Sequence, residues 1–230
     1  MMVGSKVDYD ISNLYIPKDG KGDIDYKKSF IATLTIIVRD KDGKVIKRHK
    51  QKSHSPTANF IGSMLPVTWY NNEKQCWTIT TTSNSTFTYG YNCGWIYYPN
   101  SGNNYPDYIE NIMVGSGSQS NPYSAYNLAS PIANGSGAGQ LLYSSPNIPT
   151  GITINGNEAY FIISQSFNNQ SGGTITISEV GLTVNMTLNT PSSPYYVQGI
   201  VLLWYDVLSS AISVGSGQQV IIYYTFSVNA

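Results

Sequence analysis

The sequence predicts an all-β fold, an antiparallel β-sandwich of jelly-roll type with one short helix. Three observations predict it. The chain is rich in β-formers, with 19 Tyr among 230 residues, and only 11% of it is charged, against ~25% in an ordinary soluble domain. Strand-length apolar runs alternate with clusters of Gly, Ser, Asn and Pro. Long runs of helix-favouring Glu, Lys, Ala and Leu are missing, and so are the crossover helices of a parallel α/β fold. An apolar fraction of 41% is enough to build a core, and abundant aromatics exclude disorder.

The elements follow in order. Residues 1–28 read as an extended arm with Pro17, Gly20 and Gly22, and residues 29–230 as a single domain. Phe30 to Val38 is apolar and β-branched, Asp40-Lys41-Asp42-Gly43 is a turn, and Lys44 to Lys52 returns as a polar strand. Ser55-Pro56 is a helix start, and Ala58, Ile61 and Leu65 share one face of a short helix over Thr57 to Leu65. A turn is expected near Tyr123 to Leu128. Residues 76–98 form a second hairpin. A two-residue turn at Asn84-Ser85 pairs Cys76 with Cys93, where close Cα atoms admit either a cross-strand disulfide or two buried thiols. Further strands are Ile109 to Val114, Gln140 to Tyr143, Ala159 to Phe167, Thr174 to Met186, Tyr196 to Tyr205 and Gln218 to Val228. Gly172-Gly173 is expected to close a tight hairpin. Val114-Gly115-Ser116-Gly117 recurs as Val214-Gly215-Ser216-Gly217, which we attribute to turn chemistry rather than to a repeat.

Charge is segregated. All 13 basic residues lie at or before Lys74, together with eight acids, so this segment carries 13 − 8 = +5. The remainder has five acids and no Lys or Arg, hence −5. The basic run Lys44, Lys47, Arg48, Lys50, Lys52 is a candidate docking face. It lacks the interleaved aromatics that stack on bases, so nucleic acid is not the expected partner. Residues 1–29 hold no apolar signal core, and no run approaches the ~20 apolar residues of a membrane helix.

Catalytic groups are scarce. His49 and His54 lie close together without the further ligands that zinc wants, and neither Cys has a nucleophile signature. Asp107 and Glu110 read as solvated edge charges. Asp19, Asp23 and Asp25 lack a calcium-loop spacing. Gly115-x-Gly117 lacks the third Gly and the βαβ context of a dinucleotide fingerprint. We therefore expect no enzyme, no cofactor and no metal. Four N-x-Ser/Thr sequons, at Asn84, Asn134, Asn169 and Asn185, are candidate glycosylation sites. Trp95, Tyr97, Tyr98, Tyr105 and Tyr108 suit either sugar stacking or core packing.

Several stretches carry a resemblance: Ile37-Val-Arg-Asp-Lys-Asp-Gly-Lys-Val-Ile46, Ser55-Pro-Thr-Ala-Asn-Phe-Ile-Gly62, Glu110-Asn-Ile-Met-Val-Gly-Ser-Gly117, Tyr126-Asn-Leu-Ala-Ser-Pro-Ile132, Ile177-Ser-Glu-Val-Gly-Leu182, Leu202-Leu-Trp-Tyr-Asp-Val-Leu-Ser209 and Gln218 to Val228. Together they resemble jelly-roll virion structural proteins, in particular the turret or vertex-spike proteins of turreted icosahedral archaeal viruses. These motifs describe strand and turn positions rather than a site. Tail-associated phage proteins and extracellular archaeal filament subunits show similar patterns.

The resemblance implies a capsid vertex component made in the host cytoplasm. It implies a homo-oligomer, a pentamer at a five-fold vertex, seated on penton or major capsid proteins. The charged amino-terminal third would dock inward and the neutral remainder would face out, with the arm adding a strand to a neighbour. The rival expectations are a host-attachment or carbohydrate-binding module that takes a host surface glycan or receptor, and a filament subunit. The low charge departs from the ion-pair-rich pattern of hyperthermophile proteins.

Overall fold

The computed structural model describes residues 30–53, 56–60, 76–90, 96–97, 109–189 and 196–229. These residues hold twelve strands, ten of them in an antiparallel two-sheet sandwich: β1 Phe30–Arg39, β2 Val45–Ser53, β3 Cys76–Thr80, β4 Thr86–Gly90, β5 Ile96–Tyr97, β6 Ile109–Gly115, β7 Leu142–Tyr143, β8 Thr153–Asn155, β9 Glu158–Asn168, β10 Ile175–Asn189, β11 Tyr196–Val214 and β12 Gln219–Asn229. Sheet A runs β2-β1-β12-β9-β7, with β8 also on β9. Sheet B runs β11-β10-β5, with β6 also on β10, and β3-β4 stand as a separate hairpin.

Period-two alternation explains the sandwich. Ala32, Leu34, Ile36 and Val38 of β1 and Val220, Ile222, Tyr224 and Phe226 of β12 turn to one side and are buried. They meet Ile112 and Val114 of β6, Ile177 and Leu182 of β10, and Ile212 and Val214 of β11 in one cluster. Each such side chain contributes about 1.5–3 kcal/mol by leaving water. At one end of this core Trp204 meets Phe226 edge-on at 5.2 Å and Phe60 at 4.9 Å, a geometry that suits the ring quadrupoles.

Four local expectations are corrected. The second hairpin has a three-residue loop. Thr81 N–H donates to Ser85 O at 2.8 Å and Asn84 N–H to Thr81 O at 2.9 Å, with Asn84 left-handed at φ 63°. The β1–β2 turn is built alike: Asp40 N–H bonds Lys44 O at 2.9 Å, and Gly43 sits at φ 81°. Asn takes the left-handed third position that Gly fills elsewhere. The register moves accordingly: Cys76 lies opposite Gly90, Trp77 opposite Tyr89 and Ile79 opposite Phe87. Cys93 lies outside the described residues, and with it the question of a disulfide.

Gly172-Gly173 does not close a hairpin. It belongs to an arch that carries the chain from β9 in sheet A to β10 in sheet B. Strand β11 also runs on through Asp206 to Val214, past its expected end at Tyr205. The helix begins later than expected. Pro56 is extended and bridges Trp204, Thr57 caps by accepting from Phe60 N–H at 3.4 Å, and residues 58–60 are helical. Ala58 is exposed and Asn59 is buried; Ile61 and Leu65 lie outside the described residues. The turn expected near Tyr123 is a 3₁₀ turn at Pro122–Ser124.

Candidate functional site: a cationic edge and buried polar nodes

Among the described residues, strand β2 is an edge strand of sheet A. Lys44, Lys47, Arg48, Lys50 and Lys52 are all exposed, but alternation divides them. Lys52, Lys50 and Arg48 lie opposite Thr33, Thr35 and Ile37 on the outer face of sheet A. Lys47 turns the other way, where its Nζ reaches Ala211 O at 3.4 Å. On that side β2 is stitched to β11: Gln51 Nε2 donates to Val207 O at 3.1 Å, and Ser209 N–H to Gln51 Oε1 at 3.0 Å. His49 Nε2 lies 2.9 Å from Gln51 Oε1, and His54 is outside the described residues. Hairpin Phe30–Ser53 holds seven bases and two acids, a net 7 − 2 = +5. A charged edge of this kind resists pairing with another copy of itself.

Two carboxylates take the opposite position. Glu179 is wholly buried. Its Oε1 accepts Gly117 N–H at 3.1 Å and Ser130 N–H at 2.7 Å; its Oε2 accepts Ala129 N–H at 2.9 Å and Tyr205 O–H at 2.7 Å. Three of these donors are backbone N–H groups of the 116–131 loop and fold it down onto β10, while the fourth comes from β11. Gly115 and Gly117 are required by that approach: a Cβ on Gly115 would stand 2.3 Å from Glu179 Oε1 and 2.7 Å from Ser130 O. The Val-Gly-Ser-Gly echo therefore has two different causes, because Gly217 instead serves a left-handed turn at φ 77°.

Asp206 is 2% exposed and joins the two sheets. Its Oδ2 accepts from Tyr224 O–H of sheet A at 3.0 Å and from Ser53 Oγ, which in turn accepts from Trp204 Nε1. A serine donating to a buried carboxylate has the outline of a nucleophile and base. Here Ser53 is itself buried and already holds an indole N–H, so this arrangement fastens β2 to the core. Gln165 makes a third tie between the sheets: it accepts Ile112 N–H at 2.7 Å and donates to Ser144 O at 2.7 Å.

No protein family, curated protein or solved structure matches this chain. Its chemistry must therefore be argued from its own residues.

The sequons fall in unlike places. Asn84 and Asn134 are exposed, and Asn134 Oδ1 accepts Tyr143 N–H at 3.0 Å. Asn185 is half-buried within β10. Asn169 is wholly buried. Its Nδ2 donates to Gly173 O at 2.8 Å and Val214 O at 2.7 Å, and its backbone binds Gln218 O and Gly217 N–H. It locks together the two arches that pass between the sheets, and a glycan on that nitrogen is incompatible with this fold. Of the candidate aromatic cluster, Tyr97 lies in β5; Trp95, Tyr98, Tyr105 and Tyr108 lie outside the described residues, as do Asp107, Asp19, Asp23 and Asp25. Glu110 lies in β6.

A cleft of about 530 Å³ opens beside Met113, Ile132, Asn134, Tyr143, Thr183 and Ile200. Among the described residues that line it there is no Asp, Glu, His, Lys or Arg. Tyr143 in this lining donates to Ile132 O at 2.7 Å, and burial pushes that hydroxyl up to about 12. The described lining suits a neutral polar ligand, with the amide of Asn134 and the hydroxyls of Thr183 and Ser144 as hydrogen-bonding groups. No helix among the described residues is long and apolar enough to cross a membrane.

Sequence reasoning missed Glu179, Asp206 and Gln165, and it read Asn169 only as a glycosylation site. One signal for the first two was available: an acid inside an apolar strand, in a stretch without a single base, has no charged partner and must find backbone donors or hydroxyls.

Proposed function

We propose that this chain is a non-catalytic structural protein of a virion, a jelly-roll vertex or turret component. It assembles as a homo-oligomer and sits on penton or major capsid proteins through its cationic hairpin. One observation carries the reading: the +5 hairpin forms an exposed edge of a sandwich whose remaining charge is acidic. That arrangement suits docking on an acidic protein face, and charge complementarity of this kind sets register and partner choice. The neighbouring of the first and last long strands, β1 and β12, agrees with a rolled-up jelly-roll path. The test is incorporation into particles assembled with the other virion proteins. Wild-type chain should co-sediment with them and be stripped by about 0.5 M salt, where charges are screened beyond ~4 Å. An Arg48→Glu/Lys50→Glu/Lys52→Glu chain should stay in the supernatant. Wild-type chain that never co-sediments would overturn the reading.

A second reading, host attachment through a surface glycan, is favoured by the uncharged cleft at Asn134 and Tyr143. Glycan-array binding lost in a Tyr143→Ala chain would support it.

A further inference from the structure

We propose that the β8 end of sheet A accepts a strand formed by residues 11–16 of a second copy of this chain. The inference rests on the homo-oligomer reading above and names its contact.

The last core-side row of sheet A runs across four strands. Phe30 lies opposite Val228, Val228 opposite Ala159, and Ala159 opposite Ile154. Three apolar side chains at this end are open to solvent: Val228 is 47% exposed and Ile154 is 78% exposed, with Ile152 at 68%. Exposed isoleucines at an open sheet edge are a place where chains add strands. Strand β8 pairs only with β9 among the described residues, so the outward N–H and C=O groups of Thr153–Asn155 have no ladder partner there. No charged residue occurs between Leu142 and Asn157, in contrast with β2. Two copies cannot add to each other through β2, because cations would stand opposite cations.

The occupant is indicated by the row itself, since the amino-terminal 29 residues enter the sheet at Phe30. Within them Ile11-Ser-Asn-Leu-Tyr-Ile16 lies in the longest stretch without a charge, which matches the uncharged edge it would meet. Leu14 and Ile16 fall on one face at the same spacing as Ile152 and Ile154. Pro17 then ends the segment, as it ends edge strands generally. The 14 residues from Ile16 to Phe30 span up to ~45 Å when extended, whereas β1 to β8 is only ~15 Å wide. That length allows the arm to pass its own sheet and meet a neighbouring copy. Leu14 and Ile16 cover Ile152 and Ile154, and the backbone of 11–16 extends sheet A by one strand.

The test uses full-length protein in three forms: wild type, Ile152→Lys/Ile154→Lys and Leu14→Asp/Ile16→Asp. Native mass is measured by light scattering, amide exchange is followed at Thr153–Asn155, and circular dichroism checks folding. We expect an oligomeric wild type, both variants at the mass of one folded chain, and faster exchange at Thr153–Asn155 in the arm variant. An oligomer that persists in either variant overturns this contact and leaves the homo-oligomer reading standing. A monomeric wild type overturns both; if it loses protection at Thr153–Asn155 only in the arm variant, the arm covers β8 within its own chain.

Discussion

Charge is handled in opposite ways in two regions of this molecule. In hairpin Phe30–Ser53 nine charged side chains occur in 24 residues, and every one is at least partly open to solvent. From Cys76 onward Lys and Arg vanish, and two of the few acids, Glu179 and Asp206, are buried. On the hairpin, charge is plentiful, solvated and worth little to folding. In the remainder it is scarce and architectural: each carboxylate replaces its lost hydration with donors from several chain segments. Losing one partner there leaves buried polar groups unpaired, which is the expensive error. The difference teaches that charge count is a poor guide to where charge matters in this fold.

The comparison breaks first at Glu179. Glu179→Gln puts an NH₂ against backbone donors and should cost about 3–5 kcal/mol, read as a fall in the urea midpoint. Gly115→Ala should cost about 1–3 kcal/mol through overpacking against the same carboxylate. Combined with Glu179→Ala, that penalty should shrink, because the atom struck has gone. Simple additivity of the two would contradict the contact.

Asp206→Asn keeps the shape and one acceptor, so about 1–3 kcal/mol is expected. It also has a spectroscopic signature. Burial holds the Tyr224 phenol well above its ordinary value of 10, and the Asp206 charge and hydrogen bond add to this. Removing the charge should lower the Tyr224 ionisation midpoint. Tyr205 is raised likewise, by burial first and then by Glu179. Together with Tyr143, raised to about 12, these phenols are more easily ionised unfolded than folded. Their contribution is fully present below pH 10 and is lost as pH rises through the folded values. Stability should fall steeply above pH 10, and a melting temperature flat from pH 9 to 12 would contradict the burial of these hydroxyls. The smallest effect belongs to the hairpin: Lys50→Glu/Lys52→Glu should move stability by less than about 0.5 kcal/mol while abolishing particle docking.

Much of the fold was legible in the chain. β1, β2, β9, β10 and β12 follow from alternation and β-branched content. What failed was what alternation does not encode. The Asn84 loop turns on one left-handed residue, and its third loop position moves Cys76 away from the register of Cys93. The Gly172-Gly173 arch carries the same local glycine signal as a hairpin, and only the Asn169 side chain, bonded to Val214 O 45 residues away, makes it a passage between sheets. The basic run was visible in sequence, but its division across two faces of β2 depends on pairing with β1. Glu179 and Asp206 were passed over because single acids carry no spacing pattern; their partners come from loops and from the opposite sheet.

The most direct measurement of the central claim is the native mass of the full-length chain by light scattering, in low and in high salt. The account predicts a closed oligomer of defined stoichiometry whose mass does not fall at high salt, because its contacts are apolar and strand-to-strand. A single-chain mass in both conditions would contradict it.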